Sequence, residues 1–329
     1  MGTLYIDRKD LHIKLDGNAI AFYAQGEREG LVPINPLKRV VIVGSVSIET
    51  PVLHRFARDD ISVLFLSGKR LRFCGMLHGR LHNNGLLRVR QYQRSLDTFS
   101  TEWAREIVSR KIAHQRAFLM EARDNRTDLR FPLTDAAEII GRILESVNGP
   151  GNDMDQLRGY EGGASAAYFR AYTKLFPESL AFTRRTRRPP EDPVNALLSL
   201  CYTLLHFEAV REIEVIGLDP TIGFLHQFEY GRESLACDLV ELYRTGVDRF
   251  VYELFRERKF TSRDFAENDE RPGCFLKKES RQRFYPLYEE WAKAIRLELV
   301  KEVRHLAERI AGEEELTIGD EKHGIIDEE

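Results

Sequence analysis

The sequence has little that would build a disulfide or zinc framework. Its four cysteines, Cys74, Cys201, Cys237 and Cys274, are widely scattered and include no CxxC pair. Thiols spaced this way fit a reducing, cytoplasmic compartment. No stretch approaches the ~18 uninterrupted apolar residues of a membrane span. The opening residues, MGTLYIDRKDLHIKLDG, put charges where a secretory leader needs an apolar run. A Gly-rich phosphate loop at a strand-to-helix junction is also missing, which disfavours a nucleotide-binding fold. Nor is there an excess of one charge: 49 Lys+Arg against 52 Asp+Glu leave a net −3. Taken alone, that total argues against a nucleic-acid partner. What remains is a globular composition, 43% hydrophobic and 31% charged over 329 residues, long enough for two domains.

The total conceals a segregation of charge. Residues 70–130 hold 12 arginines and Lys111 against six acids, whereas residues 312–329 hold eight acids and one lysine. The acidic end reads as a solvated, disordered tail. The arginines are either a solvated helix face or a nucleic-acid surface. A sharper cluster is Arg184, Arg185, Arg187 and Arg188, four arginines in six residues followed by Pro189-Pro190. The prolines forbid helix continuation, so this is expected to be an exposed basic loop, and guanidinium groups match phosphate oxygens bidentately.

Short β-branched and aromatic segments dominate the first ~80 residues, at 3–6, 12–15, 19–23, 39–43, 46–48, 62–66 and 70–74. Asp16-Gly17-Asn18 and Ser67-Gly68-Lys69 are hairpin signals between them. One helix is predicted over 51–59, with Thr50 as N-cap and Pro51 at its first position. Beyond Gln91 the apolar period changes to that of helices, over 96–122, 133–148, 164–175, 194–216, 234–258 and 276–311. Strands first and helices afterwards predict an α+β chain of two domains. Residues 1–90 would be a β-sandwich-like domain, 91–311 an all-α domain and 312–329 the tail.

Three features of the helical part carry chemistry. Glu161 interrupts a run of small residues, GYEGGASAAYF, where a buried carboxylate is costly unless paired or bound to a cation. An exposed helix N-terminus would explain it equally well. His226 follows an apolar pair and could simply be a satisfied core histidine. Asp238 and Glu241 stand at i, i+3 and share a neighbouring helix face, predicted to be capped by Ser234. Two such carboxylates repel unless a cation lies between them, although two solvated acids on an amphipathic helix are the commoner case. Carboxylates with imidazole and no thiolate would suit Mg²⁺ or Mn²⁺ in phosphodiester chemistry. Spacing alone does not bring Glu161 to His226.

Four blocks, in order, resemble the CRISPR-associated integrase/endonuclease of spacer acquisition, the first-numbered Cas family, over roughly residues 1–305. They are VVIVGSVSIETPVLHRFARDDISVLFLSGKRLRFCGMLHGR, GYEGGASAAYF, DPVNALLSLCYTLL with Asn195 and Tyr202, and GLDPTIGFLHQFEYGRESLACDLVELYR. The resemblance implies that Glu161, His226 and Glu241 hold the metal, with Asp238 as a nearby auxiliary acid. A loose likeness at 275–279 suggests Lys277 and Lys278 near DNA. It further implies a prokaryotic homodimer joined through its β domains, a metal-binding catalytic helical domain, and assembly with a small ferredoxin-like companion, the second-numbered Cas family. Together these insert short double-stranded DNA fragments into a CRISPR repeat by 3′-hydroxyl attack on a phosphodiester. The alternatives are an unrelated Mg²⁺-dependent nuclease that never joins DNA, and a non-catalytic DNA-binding scaffold.

Overall fold

The computed structural model describes residues 2–67, 71–79, 84–187, 189–226, 228–267 and 273–312. Arg188, the turn signal at Gly68-Lys69 and the acidic end beyond Gly312 lie outside the described residues. The chain opens with β1 (Gly2–Ile6), β2 (Leu11–Asp16), β3 (Ala19–Ala24), β4 (Glu27–Pro33), β5 (Leu37–Val43) and β6 (Val46–Ile48). After α1 (Thr50–Arg58) come β7 (Ser62–Ser67) and β8 (Arg72–Leu77). They form two four-stranded sheets, ordered β4-β3-β2-β6 and β1-β5-β7-β8. Asp16 pairs with Ala19 across the predicted hairpin, where Gly17 takes φ +58°, a left-handed conformation that a two-residue turn favours and glycine adopts without strain.

β4 was not expected, and its composition explains why. It begins with exposed Glu27, Arg28 and Glu29 and ends at Pro33, residues tolerated because β4 lies on a sheet edge. β8 runs 72–77, displaced from the expected 70–74.

Alternation along β5 and β7 explains how the two halves join. Val40, Ile42 and Val63 point into a core with Ile13, Ile20 and Phe56, between the sheets and α1. Val41, Val43, Leu64 and Leu66 point the other way, into the core of the helical part. A sheet buried on both faces reads as a continuous apolar run, as Val40-Val41-Ile42-Val43 does.

The helices are α2 (Gly85–Ser95), α3 (Thr98–Asn125), α4 (Arg130–Val147), α5 (Met154–Tyr172), α6 (Pro193–Ile216), α7 (Ser234–Glu241), α8 (Arg244–Arg256) and α9 (Lys278–Ala311). The C-terminal part is not wholly α: β9 (Phe265–Glu267) and β10 (Cys274–Leu276) pair antiparallel between α8 and α9. The helix expected from 234 to 258 divides between Glu241 and Arg244. N-cap positions fall on Glu49 and Glu233, not Thr50 and Ser234, and neither side chain makes a capping bond. α5 starts ten residues before the expected Ala164, fixed by a capping box in which Asp153 and Gln156 bond each other's backbone N–H.

α6 runs through the interior. It is long and apolar enough to cross a membrane, but 78% of its most apolar window is buried within the protein. Glu208 on this helix is buried between Arg39 of β5 (Nε–Oε2 2.6 Å) and Arg296 of α9 (Nε–Oε1 2.8 Å). Arg296 also bonds Glu289 (2.7 and 2.9 Å), which accepts from Thr3 (2.9 Å) and Tyr5 (2.7 Å) of β1. Sheet and helices are thus joined by a buried ionic network. Glu208→Ala would leave buried Arg296 with Glu289 alone and buried Arg39 with only a 3.9 Å contact to Glu212, and a loss of about 2–4 kcal/mol of stability is expected in urea unfolding. An unchanged unfolding midpoint would show that the network adds nothing to the junction.

Candidate metal centre

His226 lies on the loop between α6 and α7, and its position is dictated by a fully buried carboxylate. Asp238 Oδ2 accepts from the backbone N–H of Phe224 (2.6 Å) and Leu225 (2.9 Å). Its Oδ1 accepts from the His226 backbone N–H (3.0 Å) and lies 2.6 Å from His226 Nδ1. With Nδ1–H donating to Asp238, Nε2 keeps its lone pair for a ligand or proton. Gly223 makes the close approach possible: a Cβ there would stand 2.7 Å from the Ser234 carbonyl carbon and 2.9 Å from Asp238 Oδ2.

Three more helices hold the same loop. Buried Gln91 of α2 donates Nε2 to the Asp219 and Ile222 carbonyls (both 2.8 Å) and accepts from Asp219 N–H (2.7 Å). Ser100 of α3 bonds the Phe224 carbonyl (3.1 Å), and Arg158 of α5 the Leu225 carbonyl (3.0 Å). The imidazole is therefore presented by a loop whose backbone groups are largely satisfied.

The two glutamates meet on a cation that the chain itself supplies. Lys111 of α3 is 5% exposed, and its Nζ contacts both Glu161 Oε1 on α5 and Glu241 Oε2 at the end of α7, the latter at 2.5 Å. Ser165 donates to Glu161 Oε1 (2.9 Å), and Arg244 Nε stands 2.9 Å from Glu241 Oε1. Burial pushes the Glu241 carboxyl up, but Arg244, Lys111 and His226 outweigh it and bring it down to about 2. Burial pulls His226 down, while its hydrogen bond to Asp238 and the charges of Asp238 and Glu241 lift it above the ordinary histidine value.

The arrangement corrects two expectations. Glu161 does not sit at a helix N-terminus, because α5 begins at Met154 and places it inside the helix. Asp238 and Glu241 are neither solvated nor a repelling pair: both are buried, Asp238 bonded to the His226 loop and Glu241 facing Lys111 and Arg244. Among the described residues, no three His, Cys, Asp or Glu side chains stand close enough to enclose an ion. The donor chemistry nevertheless fits one. Among the described residues Glu241 Oε2 is a buried oxygen with no aligned hydrogen bond despite its ionic contact. Two carboxylates and an imidazole are the oxygen and nitrogen donors that Mg²⁺ or Mn²⁺ accepts.

The basic loop begins beside this cluster. Arg244 and Arg185 lie 4.9 and 5.4 Å from the Tyr202 ring centroid. Arg185 bonds Asn195 Oδ1 (2.7 Å) and Ser199 Oγ (3.2 Å). It is an inward strut, not the exposed phosphate contact expected of it. Buried Asn195 fixes the loop by accepting from Thr186 N–H (2.9 Å) and donating to the Arg184 carbonyl (2.8 Å). Arg184 and Arg187 are exposed, as are Lys277 and Lys278 just after β10. The Cys274 N–H bonds the Pro190 carbonyl (2.8 Å), tying that segment to the loop.

Lys111, Arg244, Gln91, Ser100 and Arg158 were missed as contributors to this centre. For Lys111 a signal existed. The buried stripe of α3 runs Trp103, Ile107, Val108, Lys111, Ile112, Gln115, Phe118, and a lysine on an apolar stripe requires an anionic partner.

Two carboxylates drawn to one lysine from two helices, with an imidazole on a clamped loop nearby and an arginine alongside, supply the donor types that phosphoryl-transfer centres use. Comparison with known proteins narrows the class. The family model described as "CRISPR associated protein Cas1" matches residues 4–290. A CRISPR-associated endonuclease Cas1 of Thermodesulfovibrio yellowstonii is 55% identical over 319 residues, covering 97% of this chain and 100% of that protein. A CAS1 protein from Thermotoga maritima superimposes with TM-score 0.81 at 25% identity, covering 98% of this chain and 100% of that one. A chain of a Cas6-RT-Cas1–Cas2 complex gives TM-score 0.80 at 24% identity, covering 94% of this chain and 35% of that one. The chain belongs to the Cas1 family.

Proposed function

We propose that this protein is a metal-dependent DNA endonuclease and integrase that joins the 3′-hydroxyl of short DNA fragments to a CRISPR repeat. The observation that carries the reading is the approach of Glu161 and Glu241 to a single cationic position, beside an imidazole whose Nδ1 is taken by Asp238. Glu161, His226 and Glu241 would hold Mg²⁺ or Mn²⁺, with Asp238 behind His226. When bound, the ion supplies Lewis-acid stabilisation of charge on the phosphoryl oxygens. The protein's own residues do the rest. Asp238 fixes the imidazole tautomer, Arg244 adds positive charge beside Glu241, and the exposed arginines track the DNA backbone. A DNA 3′-hydroxyl or water is the nucleophile, so no covalent protein intermediate is needed. The β part would mediate homodimerisation, and the dimer would assemble with the ferredoxin-like Cas2 companion.

The test mixes the full-length protein, Cas2, a short 3′-OH duplex and a supercoiled repeat plasmid with Mn²⁺ or Mg²⁺. Joined product that needs the ion is expected. Cutting without any joining would favour a plain nuclease, and neither activity would favour a scaffold. DNA affinity should fall steeply with salt. Arg184→Ala with Arg187→Ala should flatten the slope of log affinity against log salt by about 1–2. Lowered affinity with an unchanged slope would remove these arginines from the phosphate surface. Arg185→Ala should instead loosen the loop, detected as faster proteolysis after Arg184.

A further inference from the structure

We propose that Lys111 is an exchangeable internal counter-ion: its ammonium holds the position between Glu161 and Glu241 that a divalent ion takes, and it withdraws to Gln115 when the ion enters. The proposal rests on the reading of Glu161, His226 and Glu241 as the metal ligands. Lys111 is anchored in the middle of α3, on its buried stripe between Ile107, Val108 and Ile112. An ammonium there must be paired, and its partners are these two carboxylates. A divalent cation and an ammonium repel strongly at contact distance in a poorly solvated site, so one cannot join the other on the same oxygens. Ion binding and lysine departure are then a single exchange.

Two observations suit the lysine to leaving. Its hydrogen bond goes to Glu161, while its contact with Glu241 Oε2 lacks an aligned one among the described residues, so at that carboxylate it is held by charge more than by direction. A receiving acceptor also exists. Gln115 is 2% exposed and lies four residues further along α3, a neighbour on the same helix face. Ser165 donates its proton to Glu161, so its oxygen accepts the Gln115 Nε2–H (3.5 Å). That turns Gln115 Oε1 away from Ser165, and it is a buried oxygen with no hydrogen-bond partner among the described residues. An ammonium moved off the carboxylates gains a bond there that the amide oxygen lacks. The lysine thereby keeps the metal-free centre folded and weakens metal affinity.

Mn²⁺ titration calorimetry and thermal unfolding, with and without chelator, test this on the full-length protein. Lys111→Met should bind Mn²⁺ about tenfold more tightly, as removal of a competing cation requires. Its melting temperature should be lowered in chelator and should rise with Mn²⁺ by more than the wild type's does. Equal or weaker Mn²⁺ binding by Lys111→Met, with equal destabilisation in both conditions, overturns the exchange and leaves Lys111 a structural ion pair. Gln115→Leu retains the lysine but removes its receiving acceptor. It should bind Mn²⁺ several-fold more weakly, and unchanged binding would refute the withdrawal to Gln115. A wild type that binds no Mn²⁺, or binds it undiminished after Glu241→Gln, instead overturns the metal reading on which the proposal stands.

Discussion

On the proposed metal-dependent reaction, His226→Ala is expected to remove DNA joining and cutting while leaving the fold in place. The expected loss is roughly a hundredfold or more, because even the partners behind metal ligands cost about 10–100-fold when changed. The substitution isolates chemistry from stability unusually well. The His226 side chain is 22% exposed, and among the described residues its ring is hydrogen-bonded to Asp238 alone. The backbone N–H that Asp238 also binds remains after the change. Glu241→Ala is a poorer test. Its carboxylate is 5% exposed between Lys111 and Arg244, so truncation leaves buried Lys111 with Glu161 alone and takes the carboxylate from half-buried Arg244, and lost activity could follow from lost folding. For His226→Ala, joined product on a supercoiled repeat plasmid at the wild-type level, with an unchanged thermal melt, would remove the histidine from the reaction.

The parts of this fold legible in the sequence are those where one period dominates. β5 and β7 were readable because both faces are buried, and α6 and α9 because their apolar residues persist over many turns. β4 was not, since an edge strand with one solvated face has no need of an apolar run. The start of α5 was hidden by Gly159, Gly162 and Gly163, although Asp153 and Gln156 had the spacing of a capping box. Chemical type singled out Glu161, His226, Asp238 and Glu241, and resemblance supplied their roles. Their meeting depends on contacts that no local pattern encodes. Lys111 is 50 residues from Glu161 in sequence and was absorbed into a tally of basic residues. The inward turn of Arg185 is hidden for the same reason. Pro189-Pro190 correctly excludes a helix, but nothing local reveals that one arginine of the loop turns in toward Asn195 and Tyr202.

Asp238→Asn should be nearly as damaging to activity as loss of the histidine, with a distinct pH signature. The asparagine oxygen can still accept from the Phe224 and Leu225 N–H groups, so much of the loop survives. Asp238→Ala would instead leave buried N–H groups unpaired at about 1–3 kcal/mol each. On the His226 side, however, the asparagine amide becomes a donor. It drives the imidazole proton from Nδ1 to Nε2 and removes the lone pair that a ligand must offer, for a loss of about 10–100-fold. The wild-type pH profile follows from the same contact. Burial pulls His226 down, and Asp238 with Glu241 lifts it above its ordinary value. If His226 is the proposed ligand, metal binding needs its neutral ring, and wild-type activity should fall as pH drops through that raised value. Without the Asp238 charge, burial prevails and the acid limb moves to lower pH, although the maximum is reduced. Stability carries the opposite sign. A raised histidine stabilises the fold below its unfolded value near 6.5, and this contribution is lost as pH rises through the native value. The stability gap between wild type and Asp238→Asn should therefore narrow with increasing pH. Rate profiles and urea melts at matched pH check both trends. An acid limb that stays in place while activity falls would mean that Asp238 acts only by supporting the loop.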